Sequence, residues 1–334
     1  MITDSLPRLT PDLPIALADI HAARDRIRPF VPVSPLREYP ELNTEVGRGI
    51  RVFVKHENHN PVNTFKVRNG MSFMTALPRE DRARGIVAAT RGNHGLGLAW
   101  SGARLGVPVT ICVPVGNSPE KNAGMRSLGA TLIEQGEDYD AAITVAEALV
   151  RERGLRMAHS TNDQTIIAGA GTLSLEMLEQ QPELDAVVIA IGGGSQAVGA
   201  LTAARALRPS VRVFGVQAEG ASATHDSWHA GHPVARDSAK TFADGLATRS
   251  AYEMTFPALL AGLAGFITVS DAQIAEALRL LLRTTHNLAE GAGAAGLAGL
   301  LALRDTLAGQ RVGVVISGGN IDSDTLRRVL AREI

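Results

Sequence analysis

One lysine of this chain lies in a context that suits amine chemistry. Lys66 follows Thr64 and Phe65 at a point where the sequence allows a helix to begin. A helix N-terminus and an apolar neighbour both lower the pKa of an amine toward the neutral form that attacks a carbonyl group. The segment therefore indicates a lysine able to form a Schiff base, although the same residues also fit a lysine on the protein surface.

Three further segments place glycine or asparagine directly after a predicted strand. They are Thr-Arg-Gly-Asn-His-Gly at 90–95, Ile-Gly-Gly-Gly-Ser-Gln at 191–196 and Ser-Gly-Gly-Asn at 317–320. Open parallel sheets bind ligands at the carboxyl ends of their strands, so these segments are candidate binding loops. Gly192, Gly193 and Gly194 would let backbone N–H groups approach an anion at the start of the next helix, which indicates a phosphate site.

The triple glycine taken alone also fits a bare tight turn. If it does bind a phosphate, that phosphate need not belong to a nucleotide. The chain has no G-x-x-x-x-G-K-[ST] segment, and residues 92–97 lack the spacing of the dinucleotide fingerprint G-x-G-x-x-G.

The elements that must position these segments alternate between strands and helices. Short β-branched runs alternate with Ala- and Leu-rich stretches, the pattern of parallel strands joined by crossover helices. Most runs are continuously apolar, as expected of strands covered on both faces. The sequence predicts an α/β fold, with helices that include 17–27, 138–153 and 271–285, and with strands over 51–55, 85–90, 109–113, 131–134, 156–159, 186–191, 211–217, 266–269 and 312–317.

The composition excludes several classes of partner. With 33 basic and 34 acidic side chains among 334 residues, the formal net charge of -1 gives no field that would attract nucleic acid or an anionic membrane. The first residues place Asp and Pro where a secretory signal would have its apolar core, and no apolar run is long enough to span a membrane, so we expect a cytoplasmic protein. Cys112 is the one cysteine, which excludes an internal disulfide, and its apolar run predicts a buried strand thiol.

Together and in this order, the four segments resemble those of the fold type II pyridoxal-phosphate enzymes, and within them the serine/threonine dehydratase and serine racemase group. That group has a Ser-Phe-Lys-x-Arg-Gly segment, a Ser-x-Gly-Asn-His segment, a Gly-Gly-Gly-Gly loop and a Ser-Gly-Gly-Asn segment. The similarity extends from the first predicted helix and Ser34-Pro35-Leu36 to Asn320. It implies pyridoxal 5'-phosphate as the cofactor, a small amino-acid substrate and a homodimer.

The resemblance also implies the architecture. The expected fold is tryptophan synthase β-like, with two open, twisted, mostly parallel sheets covered by helices. A small domain, 71–160, would be inserted into a large cofactor-binding domain formed by 1–70 and 161–334, and the cofactor would lie in the cleft between them.

Roles for individual residues follow from the resemblance as well. Lys66 would bind the cofactor covalently and then move the α-proton of the substrate. The other implied cofactor-binding residues are Phe65 beneath the ring, Asn93 at the ring hydroxyl, Gly192, Gly193, Gly194 and Ser195 at the phosphate, Glu290 near the ring and Ser317 at the pyridine nitrogen. The implied substrate-binding residues, whose amides from 91 to 94 would hold the α-carboxylate, are Thr90, Arg91, Gly92, Asn93 and His94. Glu290 also fits a carboxylate that merely stabilises a helix N-terminus.

The reaction implied by the resemblance is α,β-elimination from a β-hydroxy amino acid, which yields a 2-oxo acid and ammonia. A neutral hydroxyl at Ser317 does not enforce protonation of the pyridine ring, and this suits elimination. The alternatives are racemisation or β-replacement with the same cofactor. A non-catalytic binding protein of the same fold agrees less well with the presence of Lys66, Asn93 and Ser317.

Arg91 departs from the family pattern. Dehydratases commonly have a small residue there, and serine racemase has the serine that serves as its second acid/base, so efficient racemisation is not expected. The guanidinium could bind a second carboxylate, as in 3-hydroxyaspartate, or steady a bulky side chain such as that of phenylserine. An arginine solvated at the rim of the pocket fits equally well.

A second departure concerns metal binding. Gln217 stands where metal-dependent members of the family have a glutamate ligand, and Ala223 stands near the position of an expected aspartate ligand. The sequence therefore predicts no metal site. His225, His229 and His232 have the spacing H-x3-H-x2-H, but no fourth ligand is evident, and they predict a solvated loop.

Overall fold

The computed structural model describes residues 13–334. Strands and helices alternate along this range, and the predicted α/β fold is confirmed. In the part of the chain described, no helix combines the length and the apolar character needed to cross a membrane. Residues 1–12, on which the expectation about a secretory signal partly depends, lie outside this range.

The strands of residues 13–334 form two separate sheets. They are β1 (Leu36–Glu38), β2 (Arg51–His56), β3 (Ile86–Ala89), β4 (Val109–Val113), β5 (Thr131–Glu134), β6 (Arg156–Met157), β7 (Ala186–Ala190), β8 (Arg212–Ala218), β9 (Gly265–Val269) and β10 (Arg311–Ile316). The larger sheet has the order β1-β2-β10-β7-β8-β9, in which β1 pairs antiparallel with β2 and the remaining pairs are parallel. The smaller sheet, β5-β4-β3-β6, is parallel throughout.

Helices join the strands and cover the sheets. They are α1 (Leu17–Ile27), α2 (Pro40–Val46), α3 (Lys66–Ala76), α4 (Arg79–Arg84), α5 (Asn93–Leu105), α6 (Pro119–Ser127), α7 (Tyr139–Arg153), α8 (Gln164–Gln180), α9 (Ser195–Leu207), α10 (Ala223–Ala230), α11 (Phe256–Gly262), α12 (Asp271–Thr285), α13 (Gly291–Ala302) and α14 (Ser323–Leu330). In β7, Val187 and Ile189 pack into one buried cluster and Val188 into another, on the opposite face. Because successive strand residues point to opposite faces, this double burial explains why the strands are continuously apolar.

Glycine residues allow helices α3, α8 and α9 to pack closely. A Cβ atom at Gly199 of α9 would lie 2.5 Å from the Cα of Gly171 in α8. Similarly, a Cβ atom at Gly169 of α8 would lie 2.5 Å from the carbonyl oxygen of Arg68 in α3. Contacts this short exclude any side chain, so glycine at these two positions fixes the distances between α3, α8 and α9.

Most predicted elements are present with small changes at their ends. Strand β6 is shorter than the predicted 156–159, because the His159 ring turns back and its Nδ1 accepts hydrogen bonds from the amides of Thr161 (3.0 Å) and Asn162 (2.8 Å). The edge strand β1 was not predicted, since three residues are too few for a periodic pattern. Cys112 is buried in β4 as predicted, and burial raises the pKa of its thiol to about 11.

The two sheets divide the chain in a way that bears on the predicted domains. All strands of the smaller sheet lie between Ile86 and Met157, and all strands of the larger sheet lie outside that interval. Helix α3 runs across the predicted boundary at 70/71. The boundaries at 70/71 and 160/161 stay a prediction.

Candidate active site

The lysine singled out from the sequence lies beside the carboxyl end of a central strand. Thr64 forms an isolated β-bridge with Gly318, and the Phe65 amide donates to the carbonyl oxygen of Ser317 at 3.0 Å. Lys66 is the first residue of α3, so this bridge fixes the start of its helix against the end of β10. The structure thus brings Ser317 next to Phe65 and Lys66, although about 250 positions of sequence separate it from them.

The Lys66 amine is held without an acidic partner. Its Nζ donates to the carbonyl oxygen of Ser160 at 3.3 Å and lies 5.0 Å from the centroid of the Phe65 ring. Within residues 13–334, no carboxylate forms an ion pair with it. Burial lowers the pKa of Lys66 to about 8. A neutral amine is therefore available near physiological pH, and this is the form that attacks an aldehyde.

The triple-glycine loop connects β7 to the N-terminus of α9. Gly194, at φ +96°, occupies the N-cap position of α9, and no side chain caps the helix. A Cβ atom at Gly192 would lie 2.2 Å from the carbonyl oxygen of Gly245, and one at Gly193 would lie 2.0 Å from Thr161 Oγ1. The loop is thus enclosed by Gly245 and Thr161. Among the described residues, no side chain accepts a hydrogen bond from the first amides of α9. This arrangement can bind a phosphate.

Replacing Gly193 by alanine is expected to weaken cofactor binding by roughly tenfold or more. The added methyl group overlaps Thr161, and relieving such an overlap in a packed site costs about 1–3 kcal/mol. Titration of cofactor-free protein with pyridoxal 5'-phosphate, followed by absorbance, measures the effect. Gly124→Ala is the matched control, because a methyl group in that helix meets only the flexible end of Leu96, at 3.0 Å. Equal affinities of the two variants would contradict the assignment of this loop.

Asn93, Glu290 and Asn320 form a hydrogen-bonded row between three segments. Asn93 Nδ2 donates to Glu290 Oε1 at 2.5 Å, and Asn320 Nδ2 donates to Asn93 Oδ1 at 2.8 Å. Burial raises the pKa of Glu290 to about 7, although the Lys121 ammonium acts in the opposite direction. Glu290 is also the N-cap residue of α13, so the structure places it both at a helix N-terminus and beside Asn93.

The loop after β3 leads directly into α5. The Gly92 amide donates to Thr90 Oγ1 at 3.1 Å, and Gly92 is the N-cap residue of α5. His94 is buried, and its Nε2 lies 2.9 Å from the carbonyl oxygen of Ala158, to which it can donate. Burial lowers the pKa of His94 to about 3, so the ring is neutral. Arg91 is partly buried. The segment offers backbone amides and one cation to an anionic ligand.

Sequence reasoning missed a group of polar residues beside Lys66. The hydroxyls of Tyr139, Tyr252 and Ser160 are hydrogen-bonded to one another. Burial raises the pKa of both phenols. These residues come from α7, from the segment after residue 247 and from the loop after β6, and no motif connects them. The other residue missed is Asn320: its glycine-rich segment was recognised, but nothing in the sequence pairs it with Asn93.

Gln217, which stands where metal-dependent members of the family have a glutamate ligand, forms hydrogen bonds to two other parts of the chain. Gln217 Oε1 accepts from the amide of His225 at 2.9 Å, and Gln217 Nε2 donates to Thr248 Oγ1 at 3.3 Å. His225 and His229 lie in α10, so the prediction of a loop is wrong for these two residues. His229 Nε2 lies 3.2 Å from the carbonyl oxygen of Phe266, to which it can donate. Across residues 13–334, no group of three His, Cys, Asp or Glu side chains is placed to hold a metal ion.

Comparison with known proteins gives consistent results. The family model described as "Pyridoxal-phosphate dependent enzyme" matches residues 27–318. The L-threonine ammonia-lyase of Geobacter sulfurreducens is 37% identical over 314 residues, which are 94% of this chain and 77% of that protein. An L-threo-3-hydroxyaspartate ammonia-lyase of Pseudomonas sp is 31% identical over 312 residues, or 93% and 97% of the two chains. The structure of maize serine racemase has a TM-score of 0.89 at 29% identity and covers 95% of this chain and 97% of that one.

Proposed function

The chain belongs to the pyridoxal-phosphate-dependent enzymes, and we propose that it is an ammonia-lyase that converts a β-hydroxy amino acid to a 2-oxo acid and ammonia. The water lost in the elimination is regained when the released product hydrolyses. The observation that supports this most directly is the Lys66 amine, which has a pKa of about 8, lies against Phe65 and has no acidic partner among residues 13–334. Relatives named as ammonia-lyases of threonine and of 3-hydroxyaspartate support the reaction type.

The residues around Lys66 fit pyridoxal 5'-phosphate. The uncapped N-terminus of α9, with Gly192, Gly193, Gly194 and Ser195, would hold the phosphate. Phe65 would lie beneath the pyridine ring, Asn93 would hydrogen-bond the ring hydroxyl, and Ser317 would face the ring nitrogen. Bound there, the cofactor supplies an electron sink for the α-carbon of the substrate amino acid.

The chain's own groups supply binding and proton transfer. Backbone amides of residues 91–94 at the start of α5 would hold the substrate α-carboxylate, since a helix N-terminus favours an anion. The neutral amine of Lys66 would take the proton from the α-carbon and keep it near the reacting atoms. Asn320 fixes the amide of Asn93 so that its nitrogen faces Glu290. A serine hydroxyl at position 317 carries no negative charge, so it would not enforce protonation of the ring nitrogen of a bound cofactor, and this would favour elimination.

Incubation of the holoenzyme with serine, threonine, 3-hydroxyaspartate and phenylserine tests the proposal. We expect release of the 2-oxo acid and ammonia in equal amounts from at least one of these substrates, because each carries a β-hydroxyl leaving group. The 2-oxo acid is measured by coupled reduction and the α-proton by exchange in deuterated water. Exchange of the α-proton without any 2-oxo acid would replace the proposal with racemisation. Failure of borohydride to fix the cofactor to the protein would exclude both reactions.

We also propose a cytoplasmic homodimer with two domains. The separate four-stranded sheet supports a small domain of 71–160 inserted into a large one of 1–70 and 161–334. The dimer is supported by the resemblance to the family, and light scattering on the purified protein tests it.

A further inference from the structure

Arg91 is a cation without a protein anion. It lies between Thr90 and the N-cap residue of α5, and its side chain is partly buried. Among the described residues, no carboxylate forms an ion pair with it. A guanidinium that has lost part of its hydration without gaining a partner is stabilised when an anionic ligand binds.

The surroundings of Arg91 connect it to the reacting lysine. Its positive charge acts on the buried phenol of Tyr139. Tyr139 is in turn hydrogen-bonded to Ser160, whose carbonyl oxygen accepts a hydrogen bond from Lys66 Nζ at 3.3 Å. Arg91 is thus linked to Lys66 through Tyr139 and Ser160.

The acidic residues close in sequence to Tyr139 and Ser160 already have partners. Asp138 and Asp140, on either side of Tyr139, both pair with Arg249, and Asp138 Oδ1 also caps α7 by accepting from the Ala141 amide at 2.9 Å. Asp163 Oδ1 caps α8, and its Oδ2 lies 3.7 Å from Arg156 Nη2. These carboxylates are committed to other partners and leave the guanidinium of Arg91 unneutralised.

The other basic groups near Lys66 do not compete for an anion. Burial lowers the pKa of His159 and of His94, so both rings are neutral at physiological pH. The guanidinium of Arg91, in contrast, is charged, and its planar fork matches the two oxygens of a carboxylate.

We propose that Arg91 is the specificity-determining residue of this enzyme and that it binds the side-chain carboxylate of a dicarboxylic β-hydroxy amino acid. The inference rests on the proposed ammonia-lyase function and specifies its substrate class. In 3-hydroxyaspartate the α-carboxylate would be held by the amides of residues 91–94, while the second carboxylate meets the Arg91 guanidinium. Threonine and serine offer no group to that guanidinium.

The test compares 3-hydroxyaspartate with threonine in the wild type and in Arg91→Gln and Arg91→Lys. We expect Arg91→Gln to lower the ratio of kcat/KM for 3-hydroxyaspartate to kcat/KM for threonine by at least about tenfold, since charge-assisted hydrogen bonds to a carboxylate are lost. Arg91→Lys is expected to recover part of the kcat/KM ratio, because lysine keeps the positive charge. The recovery should be incomplete, because lysine lacks the two parallel N–H donors of the guanidinium. Arg126→Gln, an exposed arginine on α6, is the matched control and is expected to leave the ratio unchanged.

A second measurement needs no variant of Arg91. Succinate and butanoate differ by one carboxylate, and we expect succinate to inhibit the wild type at least about tenfold more strongly. Equal inhibition by the two acids, or a uniform loss on both substrates in Arg91→Gln, would show that Arg91 is merely a solvated residue at the rim and would overturn the inference. Those results would leave the ammonia-lyase activity itself intact. Absence of 2-oxo acid from every substrate would instead reject the proposed function.

Discussion

Lys66→Ala is expected to lower kcat/KM by more than about a thousandfold and to abolish the covalent link between protein and cofactor. The substitution removes the amine that attacks the aldehyde and the base that takes the α-proton, and general base catalysis alone typically contributes about a hundredfold to ten-thousandfold. Steady-state release of 2-oxo acid measures the first effect. Borohydride reduction followed by peptide mass analysis measures the second.

The small number of lysines makes this experiment unusually clear. The chain has four, at positions 55, 66, 121 and 240. Lys55 and Lys121 are buried and donate to carboxylates, at 2.8 Å to Glu176 and at 2.7 Å to Asp244. Lys240 is exposed, so Lys240→Ala is the matched control and is expected to retain activity and labelling. Labelling at any lysine other than Lys66 would contradict the assignment.

The pH dependence of labelling gives an independent check. Because burial lowers the pKa of Lys66 to about 8, the neutral amine is the minor form below pH 8 and the major form above it. The rate at which cofactor-free wild type forms the reducible adduct should therefore rise with pH up to about 8 and then level off. A lysine at its ordinary pKa would continue to gain reactivity beyond pH 10.

The glycine segments were predictable from the sequence because their geometry depends on the backbone. Only glycine fits at positions 192 and 193, because neighbouring atoms leave no room for a Cβ atom. Gly194 supplies the positive φ that ends the loop. Such requirements act through residue type at one position, so they are visible in one sequence. The alternation of apolar runs with helical stretches likewise predicted the α/β fold, since it depends on the residue types of each segment alone.

The polar contacts of the site could not be predicted in this way. Asn320 orients Asn93 across 227 positions of sequence. Tyr139, at the start of α7, is hydrogen-bonded to Tyr252, which lies in a distant segment of the chain. Each of these side chains is unremarkable in its own segment, since an asparagine or tyrosine also fits a turn or a helix start. Their significance depends on tertiary contacts that bring distant loops together, and a single sequence contains no signal for such pairs.

A further network of this kind lies directly beneath the reactive lysine. Arg68, two residues after Lys66 in α3, is 1 % exposed. Its guanidinium donates to both carboxylate oxygens of Glu57 and of Glu176, at 2.7 to 3.0 Å. Lys55 Nζ adds a bond to Glu176 Oε2 at 2.8 Å. Two cations and two carboxylates therefore balance one another in the interior, and the network ties α3 to β2 and α8.

Arg68→Met is expected to destabilise the protein by about 3–5 kcal/mol, because it leaves two buried carboxylates facing one ammonium group. Burial by itself would raise the pKa of Glu57, but Arg68, with smaller contributions from Lys55 and Ser34, outweighs burial and holds that pKa below its usual range. A carboxyl group whose pKa is lowered by folding stabilises the protein above its unfolded pKa. This contribution is lost as the pH falls through the folded pKa. Urea unfolding of the cofactor-free protein at pH 7 measures the change.

Two comparisons separate the network from a general effect of removing an arginine. Arg51→Met breaks an exposed pair with Glu38, and we expect a change of about 1 kcal/mol or less. The double substitution Arg68→Met with Glu57→Gln removes one charge of each sign, so it should be less destabilising than the sum of the two single changes. Additive losses would mean that Arg68 and Glu57 act independently. If instead the coupling is found, the start of α3, and with it Lys66, is positioned by a charge-balanced core rather than by apolar packing alone.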